Sequence, residues 1–196
     1  MRVLREQARL RQGFTLLELV GTISIIVILT GILAIGFGGV LPASKGKRAS
    51  ADMVRIQQAL EDYKGHFGEY PKQMTVTVTG LPMEEVLFNS LAGRLAPNGS
   101  FGNFKILIDR HAMEFTNGNF PIVGGTSEPL ENAIVDPWGN PYQYRFDPDS
   151  NLWENFNYVL FSAGPDGEVG LDGVGVTAAG QRDESDSNDL DNIYAE

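Results

Sequence analysis

The sequence predicts an α+β protein in which a long amino-terminal helix packs on a small antiparallel β-sheet. Three observations carry this expectation. No charged residue occurs between Leu19 and Leu41. Beyond it, Met53, Ile56, Leu60, Tyr63 and Phe67 recur at the three- and four-residue spacing of one helical face. Further on, the runs Tyr142 to Phe146 and Asn157 to Ser162 are strand-like and are separated by turn-forming residues.

The first of these segments has the length of a membrane span. At about 1.5 Å per helical residue the uncharged run covers the roughly 30 Å hydrocarbon core of a bilayer. Arg2, Arg5, Arg9 and Arg11 precede it, and positive charge of this kind keeps the amino end in the cytoplasm and places the rest of the chain outside. A secretory signal would carry its small-residue cleavage site after the apolar run, whereas Gly13 precedes it. Cutting between Gly13 and Phe14 would therefore leave the helix attached. Glu18 stands at the margin of this apolar helix, where an ionisable group is costly unless something compensates it. Phe14 and Glu18 are four residues apart, on one helical face, so the carboxylate lies beside the position where cleavage creates an amine. An ordinary signal anchor with its glutamate at the interface accounts for the span alone, but not for the agreement of basic leader, glycine, glutamate and span.

The stretch Arg11-Gln12-Gly13-Phe14-Thr15-Leu16-Leu17-Glu18 resembles the type III signal of type IV pilins and type II secretion pseudopilins. The resemblance implies that a prepilin peptidase cuts after Gly13 and methylates Phe14. It further implies that Glu18 pairs with the Phe14 amine of a neighbouring subunit inside a filament, and that the overall architecture is the pilin fold. A membrane-stored subunit of that family is extracted from lipid into a helical filament with the help of a platform protein, an assembly ATPase and minor pseudopilins. Its globular domain lies in the periplasm and its single helix in the inner membrane.

After the span, Gly36, Gly38, Gly39 and Pro42 weaken the helix, since glycine costs about 1 kcal/mol against alanine and proline removes a backbone hydrogen bond. An interruption is expected there. The amphipathic helix that follows should end near Gly65, and Pro71 biases Tyr70 to extended geometry. The organisation expected is a leader over 1–13, the membrane half of a spine helix over 14–41, its amphipathic half over 42–68, a variable αβ region over 69–135, and a sheet with an acidic loop over 136–196. Within the variable region Thr75 to Thr79 and Lys105 to Ile108 read as strands, and Met83 to Leu95 as a short helix begun near Pro82. Residues 72–135 are longer than a major pseudopilin leads one to expect and look like an insertion. The turn Asp136-Pro137-Trp138-Gly139-Asn140-Pro141 and the segment Tyr158 to Gly167 are similar to the sheet of those pseudopilins.

Glycines and clustered oxygens mark the carboxyl-terminal stretch, which is what calcium requires: six to eight hard ligands at about 2.3–2.6 Å. The resemblance implies a structural calcium ion held by Ala163, through its carbonyl, and by Asp166, Asp189 and Asp191. A solvated acidic tail is the alternative reading of the same residues. Asp147, Asp149 and Asn151 have the opening spacing of an EF-hand, but Leu152 stands where glycine is needed and Tyr158 where glutamate is needed, so these residues read as a turn.

Other classes fit poorly. Removing the basic leader leaves 11 basic against 24 acidic residues on positions 14 to 196, a balance that repels phosphate backbones, so nucleic acid is not an expected partner. No enzyme is expected: His66 and His111 are the only histidines and neither sits in a metal or nucleophile motif. Trp138 and Trp153 are expected in turns or core. Zero cysteines mean that packing or a metal, not a disulfide, holds a domain facing an oxidising compartment. That favours a pseudopilin of a type II secretion system over the second reading, a type IV pilin for adhesion, motility or DNA uptake, which often closes its last loop with a disulfide. A tethered binding or enzymatic domain that borrowed the signal is the third reading.

Overall fold

A computed structural model describes residues 15–37, 40–72, 79–118, 120, 129–169, 176–182 and 192–195, with side chains over 32–43 left aside. Two units emerge, Met1–Ala43 and Ser44–Glu196. Helices and small antiparallel sheets make the protein α+β, as expected.

The first unit holds α1, Leu16–Phe37. At about 1.5 Å per residue its 22 residues extend about 33 Å. Its large apolar side chains from Leu16 to Leu29 are between 48% and 83% exposed. Gly38 and Gly39, where an interruption is expected, lie outside the described residues. The next helix, α2, is Val40–Phe67, so Pro42 falls in its first turn, where a missing N–H leaves no intrahelical bond unmade.

In the second unit the apolar stripe of α2 is the one read from the sequence. Met53, Ile56, Leu60 and Tyr63 are buried in one core with Tyr142, Tyr144 and Leu160 of the sheet region, and Phe67 packs against it. The three large tyrosines each find an acceptor: the hydroxyls of Tyr63, Tyr142 and Tyr144 donate to the carbonyls of Leu95 (3.0 Å), Ala49 (3.3 Å) and Pro71 (2.8 Å). Such rings contribute their area while the polar end stays satisfied, and burial pushes all three phenols up. Asp52, next to the stripe on the same helix, is buried at 4% exposure. Arg55 at 2.6 Å and Arg48 at 3.8 Å flank its carboxylate, and Arg48 also reaches Glu114 at 2.6 Å. Desolvation nevertheless outweighs both arginines and raises the Asp52 carboxyl.

Tyr70 closes the helix exit. Its hydroxyl donates to Glu61 at 2.6 Å, its ring meets Phe146 and Tyr158 edge-on, and Lys64 lies 4.4 Å over it. Lys72 then bridges Glu69 (2.9 Å) and Asp149 (3.5 Å), joining the helix exit to the 147–150 turn.

The region after it begins with residues 73–78, outside the described residues, and the strand expected at Thr75 to Thr79 falls there except for Thr79, which is helical rather than extended. The expected helix is present as α3, Met83–Leu91, with Pro82 as its amino cap. It is shorter than expected because Gly93 turns the chain at φ +72, where a Cβ would lie 2.6 Å from the Phe104 carbonyl oxygen. Lys105 to Ile108 is not a strand. The segment runs back along the end of α3, with the N–H of Phe104 donating to Gly93 (2.7 Å) and that of Leu107 to Leu91 (2.8 Å). Helix-end carbonyls, which lack intrahelical partners, take the place of a neighbouring strand.

Two short strands, β1 (Glu114–Phe115) and β2 (Ile134–Val135), pair antiparallel. Just beyond them Asn117 and Asn132 clip the chain together: the Asn117 N–H donates to Asn132 Oδ1 (3.0 Å), Asn132 Nδ2 donates to the Asn117 carbonyl (3.2 Å), and Asn117 Nδ2 donates to the Glu131 carbonyl. The expected hairpin follows as β3 (Gln143–Arg145) and β4 (Val159–Ser162), in register Tyr144 to Leu160. A third strand, β5 (Ile193–Tyr194), adds antiparallel to β4 with Ile193 opposite Ser162.

Candidate functional site

Two places gather the residues singled out by the sequence. At the amino terminus Gly13 and Phe14 lie outside the described residues, but Glu18 is placed. Thr15 precedes α1, and the Glu18 N–H donates to its Oγ1 at 3.2 Å. Reciprocally, Glu18 Oε2 accepts from the Thr15 N–H at 2.9 Å and from the Thr15 hydroxyl at 2.8 Å. This is a capping box, in which a threonine and the residue three positions later satisfy each other's backbone donors. The signal was present in Thr15-Leu16-Leu17-Glu18, although those letters read more obviously as a processing motif. Both accepted bonds fall on Oε2, so Oε1 is left for another donor, and the carboxylate sits at the positive end of the helix dipole.

The second place is built by the 136–141 turn and the loop after β4. Asp136, 1% exposed, accepts three backbone N–H bonds on Oδ1, from Trp138, Gly139 and Asn140, each at 2.9 Å. An Asp-Pro pair opening a turn favours this arrangement, and Gly139 at φ +100 completes it. Asp136 Oδ2 accepts from the Ser162 hydroxyl at 2.6 Å. Ser162 Oγ in turn accepts from the Gly164 N–H at 3.1 Å, while Asn140 Nδ2 donates to the Gly164 carbonyl at 2.9 Å. The turn and the loop are thereby tied through both polar groups of one peptide residue.

Of the expected calcium ligands, Ala163 is buried at the end of β4 and Asp166 is exposed in the next turn, its Oδ1 accepting from the Glu168 N–H at 3.0 Å. Asp189 and Asp191 lie outside the described residues. Among the described residues no three His, Cys, Asp or Glu side chains gather as a metal site. The donors that are placed, a main-chain carbonyl and a carboxylate, are the hard oxygens that calcium takes. The Asp147 turn is closed by the Ser150 N–H donating to the Asp147 carbonyl at 3.1 Å, in keeping with its reading as a turn. His66 packs edge-on to Phe67 and His111 is exposed. Among the described residues no helix is long and apolar enough to cross a membrane; side chains of α1 are described only as far as Gly31, ten residues before the apolar run ends.

Fold and amino terminus together define an α+β protein in which a capped apolar helix precedes a domain of helix on antiparallel sheet. Three curated proteins, all named type II secretion system core protein G, are similar to it over most of its length, and the chain is their homologue. The protein of Aeromonas hydrophila is 28% identical over 167 residues, covering 85% of this chain and 91% of its own. That of Escherichia coli (strain K12) is 26% identical over 162 residues, 83% of this chain and 87% of its own. That of Pectobacterium carotovorum subsp. carotovorum is 25% identical over 162 residues, 83% of this chain and 81% of its own. No family model matches the chain. No solved structure matches it.

Proposed function

We infer that this chain is the structural subunit of a type II secretion pseudopilus, a filament that drives protein export across the outer membrane. The observation that carries the inference is similarity to three core G proteins over 83% to 85% of the chain. Those names concern secretion, which favours this reading over a type IV pilin. On it, the subunit is envelope-associated and works by assembly rather than catalysis. Its partners are further copies of itself, a prepilin peptidase, a platform protein, an assembly ATPase, minor pseudopilins and, before assembly, membrane lipid.

The amino terminus supports the rest of the proposal. An exposed helix that is apolar all round needs lipid or other helices around it, so α1 is the membrane half of the spine and α2 its amphipathic half. Cleavage between Gly13 and Phe14 would create an amine, and Glu18 Oε1 is free to receive the amine of a neighbouring subunit. Mass spectrometry of protein extracted from membranes should reveal a species beginning at N-methylated Phe14. A population retaining only Met1 would overturn the reading.

Calcium is the proposed structural ion, held by the Ala163 carbonyl, Asp166, Asp189 and Asp191. Support comes from the pairing of β5 with β4: Ile193 is opposite Ser162, which directly precedes Ala163. A ligand at a hundred times its Kd adds about 2.7 kcal/mol to stability. At about 2–4 °C per kcal/mol for a chain of this size, chelation should lower Tm by roughly 5–10 °C. An unchanged melting curve would remove calcium from the proposal.

A further inference from the structure

We propose that Asn140 is a positioning residue that holds the Ala163–Gly167 loop in shape without a metal, so that calcium meets a partly built site. This rests on the calcium reading above for its purpose, though not for its geometry. Asn140 is far from the loop in sequence, yet its amide is fixed against it at two points. Its Nδ2 donates to the Gly164 carbonyl at 2.9 Å. The side chain also lies so close to Gly167 that a Cβ added there would be 2.8 Å from Asn140 Oδ1. Gly164 and Gly167 both adopt left-handed backbone, at φ +71 and +72; glycine takes up that conformation without strain, but ordering it costs more conformational entropy than ordering any other residue, so a loop built on it needs something to hold it.

The hold on the loop does not depend on Asn140 alone. The Gly164 N–H is taken by Ser162 Oγ at 3.1 Å, and that hydroxyl is itself spent on buried Asp136 at 2.6 Å. Asp136 also accepts from the Asn140 N–H at 2.9 Å, which closes a ring of contacts from turn to loop and back. Asp136 is the foundation of that ring and Asn140 its outermost member. The two residues can therefore be separated experimentally, because removing the Asn140 amide leaves the three backbone bonds of Asp136 in place.

The consequence for a metal is one of orientation. The Ala163 carbonyl belongs to the peptide whose N–H Ser162 holds, and Asp166 follows Gly164 by two residues, so holding the Gly164 carbonyl restrains the chain between the two ligands. Groups that orient metal ligands without touching the metal change affinity by about 10–100-fold when removed.

The test uses the full chain in detergent, with Asn140→Ala as the variant and two readouts. Hydrogen exchange in metal-free protein should show faster exchange at Gly164 to Glu168 in the variant, with protection in α2 and β4 unchanged. Calcium titration should show affinity about tenfold weaker than in the parent protein. Should the parent bind no calcium while the variant still exchanges faster at the loop, the calcium reading falls and the positioning role of Asn140 stands. Unchanged loop exchange overturns the proposal whatever the calcium result. Faster exchange with unchanged affinity overturns the claim that the loop is built in advance for the ion.

Discussion

Glu18→Ala is expected to abolish filament assembly while processing at Gly13 continues largely as in the parent. The carboxylate does two things, and the capping box allows them to be told apart. Through Oε2 it satisfies the N–H of Thr15, the residue that caps α1, a local role worth about 1 kcal/mol in typical caps. Through its charge it would pair with the amine of the next subunit. Glu18→Gln keeps an oxygen for the Thr15 N–H but carries no charge, so on the proposed function it should fail to assemble as completely as the alanine variant. Cross-linked multimers and the mass of the processed amino terminus, measured together, decide the matter. Normal assembly by the glutamine variant would make the cap the essential function and leave the intersubunit pairing without support.

Asp136→Ala should produce a large loss of stability for a polar substitution. The side chain accepts four hydrogen bonds while 1% exposed. Truncation strands the half-buried N–H groups of Trp138 and Asn140 and the buried Ser162 hydroxyl, while the Gly139 N–H keeps the Asp136 carbonyl at 3.0 Å, a loss on the order of 3 kcal/mol given the cost of leaving such donors unmade. At about 2–4 °C per kcal/mol this corresponds to a fall in Tm of roughly 10 °C. Asp136→Asn retains one oxygen for the turn and should lose about half as much. Thermal unfolding followed by circular dichroism reads both, and a shift below about 2 °C in the alanine variant would show that the turn is held by other means.

Which parts of this architecture could be read from residues follows from how local their causes are. The stripe Met53, Ile56, Leu60, Tyr63 and Phe67 was legible because helical periodicity is a property of neighbours, and the β3–β4 hairpin because its turn residues and its alternation lie side by side. The burial of Asp52 was not legible, since one of the groups around it is Glu114, acting through Arg48 from 62 residues further along the chain. Lys105 to Ile108 is a short apolar run rich in isoleucine, like a strand, and such a run cannot distinguish a strand partner from the open carbonyls at the end of α3. The 136–141 turn was visible in its proline, glycine and asparagine. Its reach to Ser162 was not, because a side chain that serves a turn and a distant strand at once looks the same in sequence as one that serves the turn only. At the amino terminus Thr15 and Glu18 serve both the processing motif and the helix cap, and the same letters spell both.

The paired asparagines at the mouth of the 118–130 segment bear on how this protein can change. Asn117 and Asn132 fasten the two ends of that segment to each other, so the domain is already closed below them. Lengthening a loop whose ends are fixed adds only about 0.6 kcal/mol for each doubling. Inside the neck Phe120 still packs on Phe88 and Phe115 and Asn89 holds Leu130, so an insertion spares the core only between Phe120 and Leu130. A tag or epitope can be placed between Phe120 and Leu130 without renegotiating the packing of helix on sheet.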